Sequence, residues 1–194
     1  MRRYAMIGVI LAGGQSSRMD GADKALLDLG DRRLIDIVHD RLSPQVDHLV
    51  LSGSNDRGTD LPLVDDAADI EGPVGGLYGV VDWLQSRDEN AVGFLTVPVD
   101  APFLPMDLVS RLSSDPYRCA YANDEHRGHP TLAYWTLGGL QNVRGSLGTS
   151  PPLMRVVDAV GARPMTWDDP TVFFNVNTKE QAQEAERRLA CSQS

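Results

Sequence analysis

Leu11-Ala12-Gly13-Gly14-Gln15-Ser16-Ser17-Arg18-Met19-Asp20-Gly21-Ala22-Asp23-Lys24 is the stretch whose reading decides the fold. It follows Ile7-Gly8-Val9-Ile10, an apolar run that reads as the first buried strand of a parallel sheet. Paired glycines directly after such a strand let backbone N–H groups approach an anion, because no Cβ stands in the way. Arg18 and Lys24 add two cations whose side chains reach phosphate oxygens, and Ser16 and Ser17 add hydroxyl donors. Such a loop suits a polyphosphate, best a nucleoside triphosphate. A glycine turn after a strand also serves as a plain connection; the two cations tip the reading toward phosphate. The Gly-Lys-Ser/Thr ending of a Walker A motif is missing, as is the Gly-x-Gly-x-x-Gly of dinucleotide folds.

Beyond the loop, strand and helix alternate. Leu34, Ile35, Val38 and Leu42 stand at helical spacing, and 46–51 follows as a strand. A helix is predicted over 77–84, a strand over 94–97 and a helix from Pro105, whose missing N–H suits a first turn. In the last third, 119–122, 132–135 and 172–174 read as strands, with a helix around 153–160. Thr178 and Gln181 form a capping-box pattern that opens a final helix. The segment from Arg144 to Pro152 reads as a mobile loop. This order predicts an α/β fold: one domain, a three-layer α/β/α sandwich around a mostly parallel, Rossmann-like sheet. Ligands in that architecture sit at the carboxyl ends of the strands, where the Gly13-Gly14 loop, residues 52–55 and residues 98–100 would converge.

With 194 residues the chain fits a single core. Its hydrophobic content is 42%, and no apolar run approaches the roughly 20 residues of a membrane helix. Residues 1–4 lead only into a strand-length apolar run, without the pattern of a signal peptide. Cys119 and Cys191 are too few for a disulfide framework or a zinc site. A cytoplasmic enzyme is therefore expected. The net charge of −9 argues against nucleic acid or an anionic membrane as partner, so a polyanionic substrate needs the local cations Arg18 and Lys24 or a metal ion.

Asp100 ends an apolar strand between Pro98 and Pro102. A carboxylate so placed suits magnesium, which takes one or two carboxylates plus substrate phosphates; an aspartate there can equally cap a turn. Gly72-Pro73-Val74-Gly75-Gly76 can receive an anion or a flat base at a helix N-terminus, or simply connect tightly. Asn175-Val176-Asn177 sets two amides on one side of an extended segment, able to read ring edges or to build the turn before Thr178. His129, a lone histidine before a strand, receives no acid–base role.

Leu-Ala-Gly-Gly at 11–14, Arg18-Met19 and Asp23-Lys24 resemble the signature of the molybdenum cofactor guanylyltransferases. More widely they resemble nucleotidyltransferases with Leu-Ala-Gly/Ala-Gly at the first strand end. The likeness continues through Asp69-Ile70-Glu71-Gly72-Pro73-Val74-Gly75-Gly76-Leu77, Pro98-Val99-Asp100-Ala101-Pro102, His129-Pro130-Thr131 and Asn175-Val176-Asn177-Thr178. Each string is weak alone; five in order are specific. The resemblance implies a sandwich of the nucleotide-diphospho-sugar transferase type, with 1–110 as the nucleotide-binding half and 111–194 as the molybdopterin-binding half. It implies transfer of GMP from GTP to the phosphate of molybdopterin, with release of pyrophosphate and Mg2+ as cofactor.

Carried residue by residue, it assigns Leu11, Ala12, Gly13, Gly14, Arg18, Lys24, Ser52, Asp65, Gly72, Gly76 and Asp100 to the nucleotide. Arg18, Lys24 and Asp100 would be catalytic, with the metal on Asp100, and His129, Asn175 and Asn177 would serve molybdopterin. Implied partners are these substrates and cofactor-delivery proteins or molybdoenzyme-specific chaperones. Two positions depart from the family: Asp20-Gly21 stands where two glycines are usual, and Ser52 where asparagine often ends the strand. Alternatives are a CTP-dependent molybdopterin cytidylyltransferase, a sugar-phosphate nucleotidylyltransferase and a non-catalytic GTP-binding regulator.

Overall fold

Strict alternation along the first strand sends its side chains to two different cores. Ile7 and Val9 join one buried cluster and Ile10 the other, as the two-residue period of a strand requires. A computed structural model describes residues 4–13, 18–19, 22–87 and 91–191, with only the backbone of 18, 19 and 22. Gly14 and the side chain of Arg18 therefore lie outside the described residues, as do Ser16, Ser17 and Asp20.

The order begins with β1 (Ile7–Leu11), then a ribbon of β2 (Arg18–Met19) and β3 (Ala22–Asp23), then a 3-10 turn at Lys24–Leu26. A second ribbon, β4 (Asp28–Leu29) and β5 (Arg32–Arg33), leads into α1 (Leu34–Leu42), β6 (His48–Ser52) and β7 (Leu63–Val64). Next come α2 (Pro73–Ser86), β8 (Gly93–Pro98), α3 (Leu108–Leu112), β9 (Ala120–Asn123) and β10 (Gly128–Thr136). The chain ends with α4 (Leu137–Val143), α5 (Leu153–Ala159), β11 (Arg163–Thr166) and α6 (Lys179–Cys191). One seven-stranded sheet has the order β11-β9-β10-β8-β1-β6-β7. β10 runs antiparallel to both its neighbours, and the other pairings are parallel.

Three layers result. Ile35, Val38 and Leu42 of α1 and Leu108 and Leu112 of α3 cover one face with Ile10, Leu95 and Val97. Val74, Leu77 and Val80 of α2, Leu140 of α4 and Val156 of α5 cover the other with Val9 and Phe94. Outside the first face, Ala182 and Ala185 of α6 pack on Leu34 and Ile37. The capping box forms: Gln181 N donates to Thr178 Oγ1 at 3.3 Å, and Thr178 N donates to Gln181 Oε1 at 3.0 Å.

Three expectations need correction. The expected strand at 172–174 is a 3-10 turn over Pro170–Phe173, because Asp169 caps it by accepting from Thr171 N at 2.9 Å and Pro170 starts it. The last strand is instead β11, whose side chains are only half-buried or exposed at the sheet edge. Pro105 accepts from Leu108 N at 3.1 Å, so it sits in a turn and α3 starts only at Leu108. Residues 144–152 are held: Arg144 pairs with Asp69 and Asp82, Leu147 and Pro151 are buried, and Thr149 O accepts from Glu71 N.

Candidate functional site

Three strand ends meet as the alternation requires. Ala12 N donates to Ser52 O at 2.9 Å and Val99 N donates to Leu11 O at 3.1 Å, so the carboxyl ends of β1, β6 and β8 form one ledge. Over it opens a cleft. Its lining includes Leu11, Gly13, Lys24, Ser52, Gly72, Gly76 and Asp100 from the sequence reading. Asp66, Pro73, Pro98, Val99 and Thr131 complete it. Ala12 is fully buried beneath.

Glycine is needed at two of these places for different reasons. Gly72, with φ of 74°, turns the chain into α2 in a conformation that side chains rarely adopt. A Cβ on Gly76 would lie 2.7 Å from Ser52 Oγ, so only hydrogen there leaves room for the β6 end against the helix. Pro73 at the first helical turn loses no hydrogen bond and leaves the helix end facing the cleft.

Asp65, the residue singled out by family spacing, does not line the cleft; its neighbour Asp66 does. A Cβ on Gly13 would stand 3.6 Å from both Asp66 carboxylate oxygens, which puts that carboxylate beside the glycine turn. Partial loss of solvent and the adjacent charge of Asp65 raise the Asp66 pKa. Successive side chains of an extended segment point oppositely, so a one-residue slip in spacing exchanges the inward carboxylate for the outward one.

Lys24 is the pivot. Its side chain is 5% exposed, Nζ donates to Asn177 Oδ1 at 2.5 Å, and Nζ lies 3.8 Å from Asp100 Oδ2. Burial raises the Asp100 pKa, while the charges of Lys24 and Arg127 and hydrogen bonds oppose the rise. Asp100 Oδ1 is buried with no hydrogen-bond partner among the described residues. A buried carboxylate oxygen without a partner is costly unless something else satisfies it. A divalent cation does so, and magnesium commonly takes a single carboxylate with phosphate oxygens. No group of three or more His, Cys, Asp or Glu that could hold a metal occurs among the described residues; the free Asp100 oxygen is the donor that could meet such an ion together with substrate oxygens.

A second recess opens on the other side of Lys24. Asn175 and Asn177 line it together with His129, Arg127, Phe173 and Arg188. Asn175 Oδ1 is buried and unpartnered among the described residues. His129 Nε2 lies 2.7 Å from Asp124 Oδ2, and its ring packs on Phe173 with centroids 4.6 Å apart and planes tilted by 40°. Burial works against the Asp124 charge, yet the His129 ring and the N–H groups of His126 and Arg127 bring its pKa down to about 2. His129 is thereby a buried structural partner at the recess wall. Asn177 belongs to this recess and Lys24 to the first cleft, so their hydrogen bond is where the two spaces meet.

Sequence reasoning missed Asp124, Arg127 and Thr131 as contributors. Thr131 stood inside the quoted His129-Pro130-Thr131 string. A register shift between His129 and Ala133 in the β10–β9 ladder separates the two, Thr131 to the cleft and His129 to the recess. Only the bulge, invisible in the sequence, divides them.

A profile of the MobA-like NTP transferase domain matches residues 8–161. The chain is 38% identical to the molybdenum cofactor guanylyltransferase of Rhodopseudomonas palustris, over 92% of this chain and 89% of that one. Molybdopterin-guanine dinucleotide biosynthesis protein A from Archaeoglobus fulgidus superimposes with a TM-score of 0.71 at 18% identity, covering 97% of this chain and all (100%) of the other. A Mycobacterium tuberculosis protein solved as a complex with manganese superimposes with a TM-score of 0.66 at 17% identity, over 96% and 100% of the two chains. A profile match across most of the sheet, joined to a relative alignable over nearly the full length of both chains, makes this protein a member of the MobA-like NTP transferase family.

Proposed function

We propose that this protein is a molybdenum cofactor guanylyltransferase that moves GMP from GTP to the terminal phosphate of molybdopterin. The observation that carries the reading is Lys24, buried where the cleft at the strand ends and an amide-lined recess meet, beside a carboxylate with one unsatisfied oxygen. A transferase with two substrates needs such a meeting point. A phosphate oxygen of molybdopterin attacks the α-phosphorus of GTP, the new P–O bond forms, and the bond to the β-phosphate breaks to release pyrophosphate. That chemistry asks for positioning and charge neutralisation rather than a protein nucleophile.

In this reading the backbone at Leu11 and Ala12 meets the nucleoside, and Gly13 and Gly14 offer N–H groups to the phosphates. Arg18 and Lys24 neutralise charge on the leaving group. Ser52, Gly72 and Gly76 line the nucleoside end, with Asp66 taking the part first given to Asp65. Asp100 would hold Mg2+, which when bound supplies Lewis-acid polarisation of phosphate oxygens. Asn175, Asn177 and the His129 wall would receive molybdopterin, so that, Thr131 apart, 1–110 serve the nucleotide and 111–194 the pterin. Cofactor-delivery proteins or molybdoenzyme chaperones would be the partners. A cytoplasmic enzyme fits the absence, among the described residues, of a helix long and apolar enough to cross a membrane.

Lys24→Ala is the test. Loss of one charge-stabilising donor is expected to cut turnover by about 10²- to 10³-fold, with circular dichroism unchanged. Equal turnover and equal Mg–GTP affinity in the variant would remove Lys24 from the site.

A further inference from the structure

Arg57 is the buried cation that the proposed reaction leaves unused. It is the sole non-glycine residue with positive φ among the described residues, at 53°, a region where glycine sits without strain and bulky side chains are rare. A turn that would accept glycine so readily carries the longest side chain instead. That side chain is only 5% exposed. Its guanidinium makes three directed hydrogen bonds: Nη2 donates to Ala12 O at 2.6 Å, Nε to Asp23 Oδ2 at 2.8 Å, and Nη1 to Asn55 O at 2.7 Å.

Two of these bonds reach the two ends of the glycine loop. Ala12 is the last residue before Gly13, and Asp23 the last before Lys24. Asp23 uses its other oxygen, Oδ1, to accept from Ala25 N at 3.0 Å, which caps the 3-10 turn that carries Lys24. One guanidinium therefore holds the start of the loop and, through Asp23, the turn that aims Lys24. The turn around Arg57 has support of its own: Arg57 N donates to Asn55 Oδ1 at 2.7 Å, and Arg57 O accepts from Arg33 Nη1 at 2.7 Å. Arg57 and Asp23 neutralise each other, so the pair offers no charge to a ligand; its effect is geometric.

We propose that Arg57 is a positioning residue, a clamp that ties Ala12 to Asp23 and sets the direction of Lys24. This rests on the reading of the cleft as a triphosphate site. Holding Ala12 and the turn of Lys24 in place in advance removes an ordering cost from binding, and misplacement by about 1 Å costs on the order of 10²-fold in rate.

The informative variant is Arg57→Gly, because glycine suits the positive φ while leaving a guanidinium-sized space. Mg–GTP affinity by calorimetry, steady-state kinetics and thermal melting would be followed together, with and without added guanidinium ion. The clamp requires kcat/KM for GTP to fall by about tenfold to a hundredfold, with KM for molybdopterin unchanged. Guanidinium at low concentration is expected to restore affinity in Arg57→Gly and not in Lys24→Ala. Arg57→Lys should recover little, since an ammonium cannot reproduce a planar fork. If Arg57→Gly fails to fold, Asp23→Asn cuts the same bridge at a 29% exposed side chain and keeps the Oδ1 cap; it should weaken GTP in the same way. Wild-type affinity in Arg57→Gly or in Asp23→Asn overturns the clamp. Failure of the wild-type protein to bind Mg–GTP overturns the triphosphate site itself, and the clamp with it.

Discussion

At the scale of single residues, the site divides into groups announced by their neighbours in sequence and groups assembled by the fold. The place of Lys24 and Asp100 in the cleft was legible because each stands at a strand end inside a string rich in glycine or proline. Arg57 was not: in Asn55-Asp56-Arg57-Gly58 it reads as an exposed turn cation, and its partners Ala12 and Asp23 are joined to it only by the fold. Asp124 was equally silent, since its burial depends on His129 crossing from β10. Its depressed pKa has a measurable consequence. A carboxylate near 2 when folded and about 3.9 when unfolded adds stability that is fully present above about pH 4 and drains away as pH falls toward 2. Asp124→Asn is expected to cost about 2 kcal/mol at pH 7, and the gap from wild type should close as the buffer approaches pH 2. Urea melts at several pH values check this; a gap independent of pH would show that Asp124 acts through packing alone.

At the scale of elements, strongly patterned segments were readable and weakly patterned ones were not. β1, α1, β6, β8 and the capped start of α6 carry apolar periodicity or a local cap and stand where the pattern puts them. β11 has arginine, proline and threonine among its four residues and draws its pairing from β9 alone; a single half-buried hydrophobic, Met165, is too little to mark it as a strand. Val172 and Phe173 misled in the opposite sense, as their hydrophobicity serves a 3-10 turn wedged against His129 and Trp167. α2 shows how an element positions a site. Cβ atoms at Gly75 and Gly79 would lie 2.4 Å from Ile70 O and 2.0 Å from Asp65 O, so these glycines let the helix press on the segment that carries Asp66. Gly79→Ala must push that backbone away. It is expected to destabilise the fold by about 1–3 kcal/mol and to weaken Mg–GTP binding beyond what the loss of folded protein explains. A variant as stable as wild type would mean the 65–67 segment yields freely.

At the scale of the whole molecule, an acidic chain of net charge −9 places Lys24 in the cleft where the sheet ends. The architecture was legible early because alternating strands and helices leave few topologies, and because a glycine turn after β1 locates the ligand edge. The antiparallel β10 was not legible, yet it brings Thr131 to one space and His129 to the other. Guanylyl transfer at the junction of those spaces is the central claim. Its most direct test incubates the protein with Mg2+, molybdopterin and GTP labelled at the α-phosphate, with labelled CTP in a parallel reaction. The expected result is label joined to molybdopterin from GTP, with one pyrophosphate released for each GMP transferred, and transfer slower by about 10²- to 10³-fold in Lys24→Ala. Transfer from CTP in preference to GTP, or GTP bound tightly with no label transferred, would contradict it.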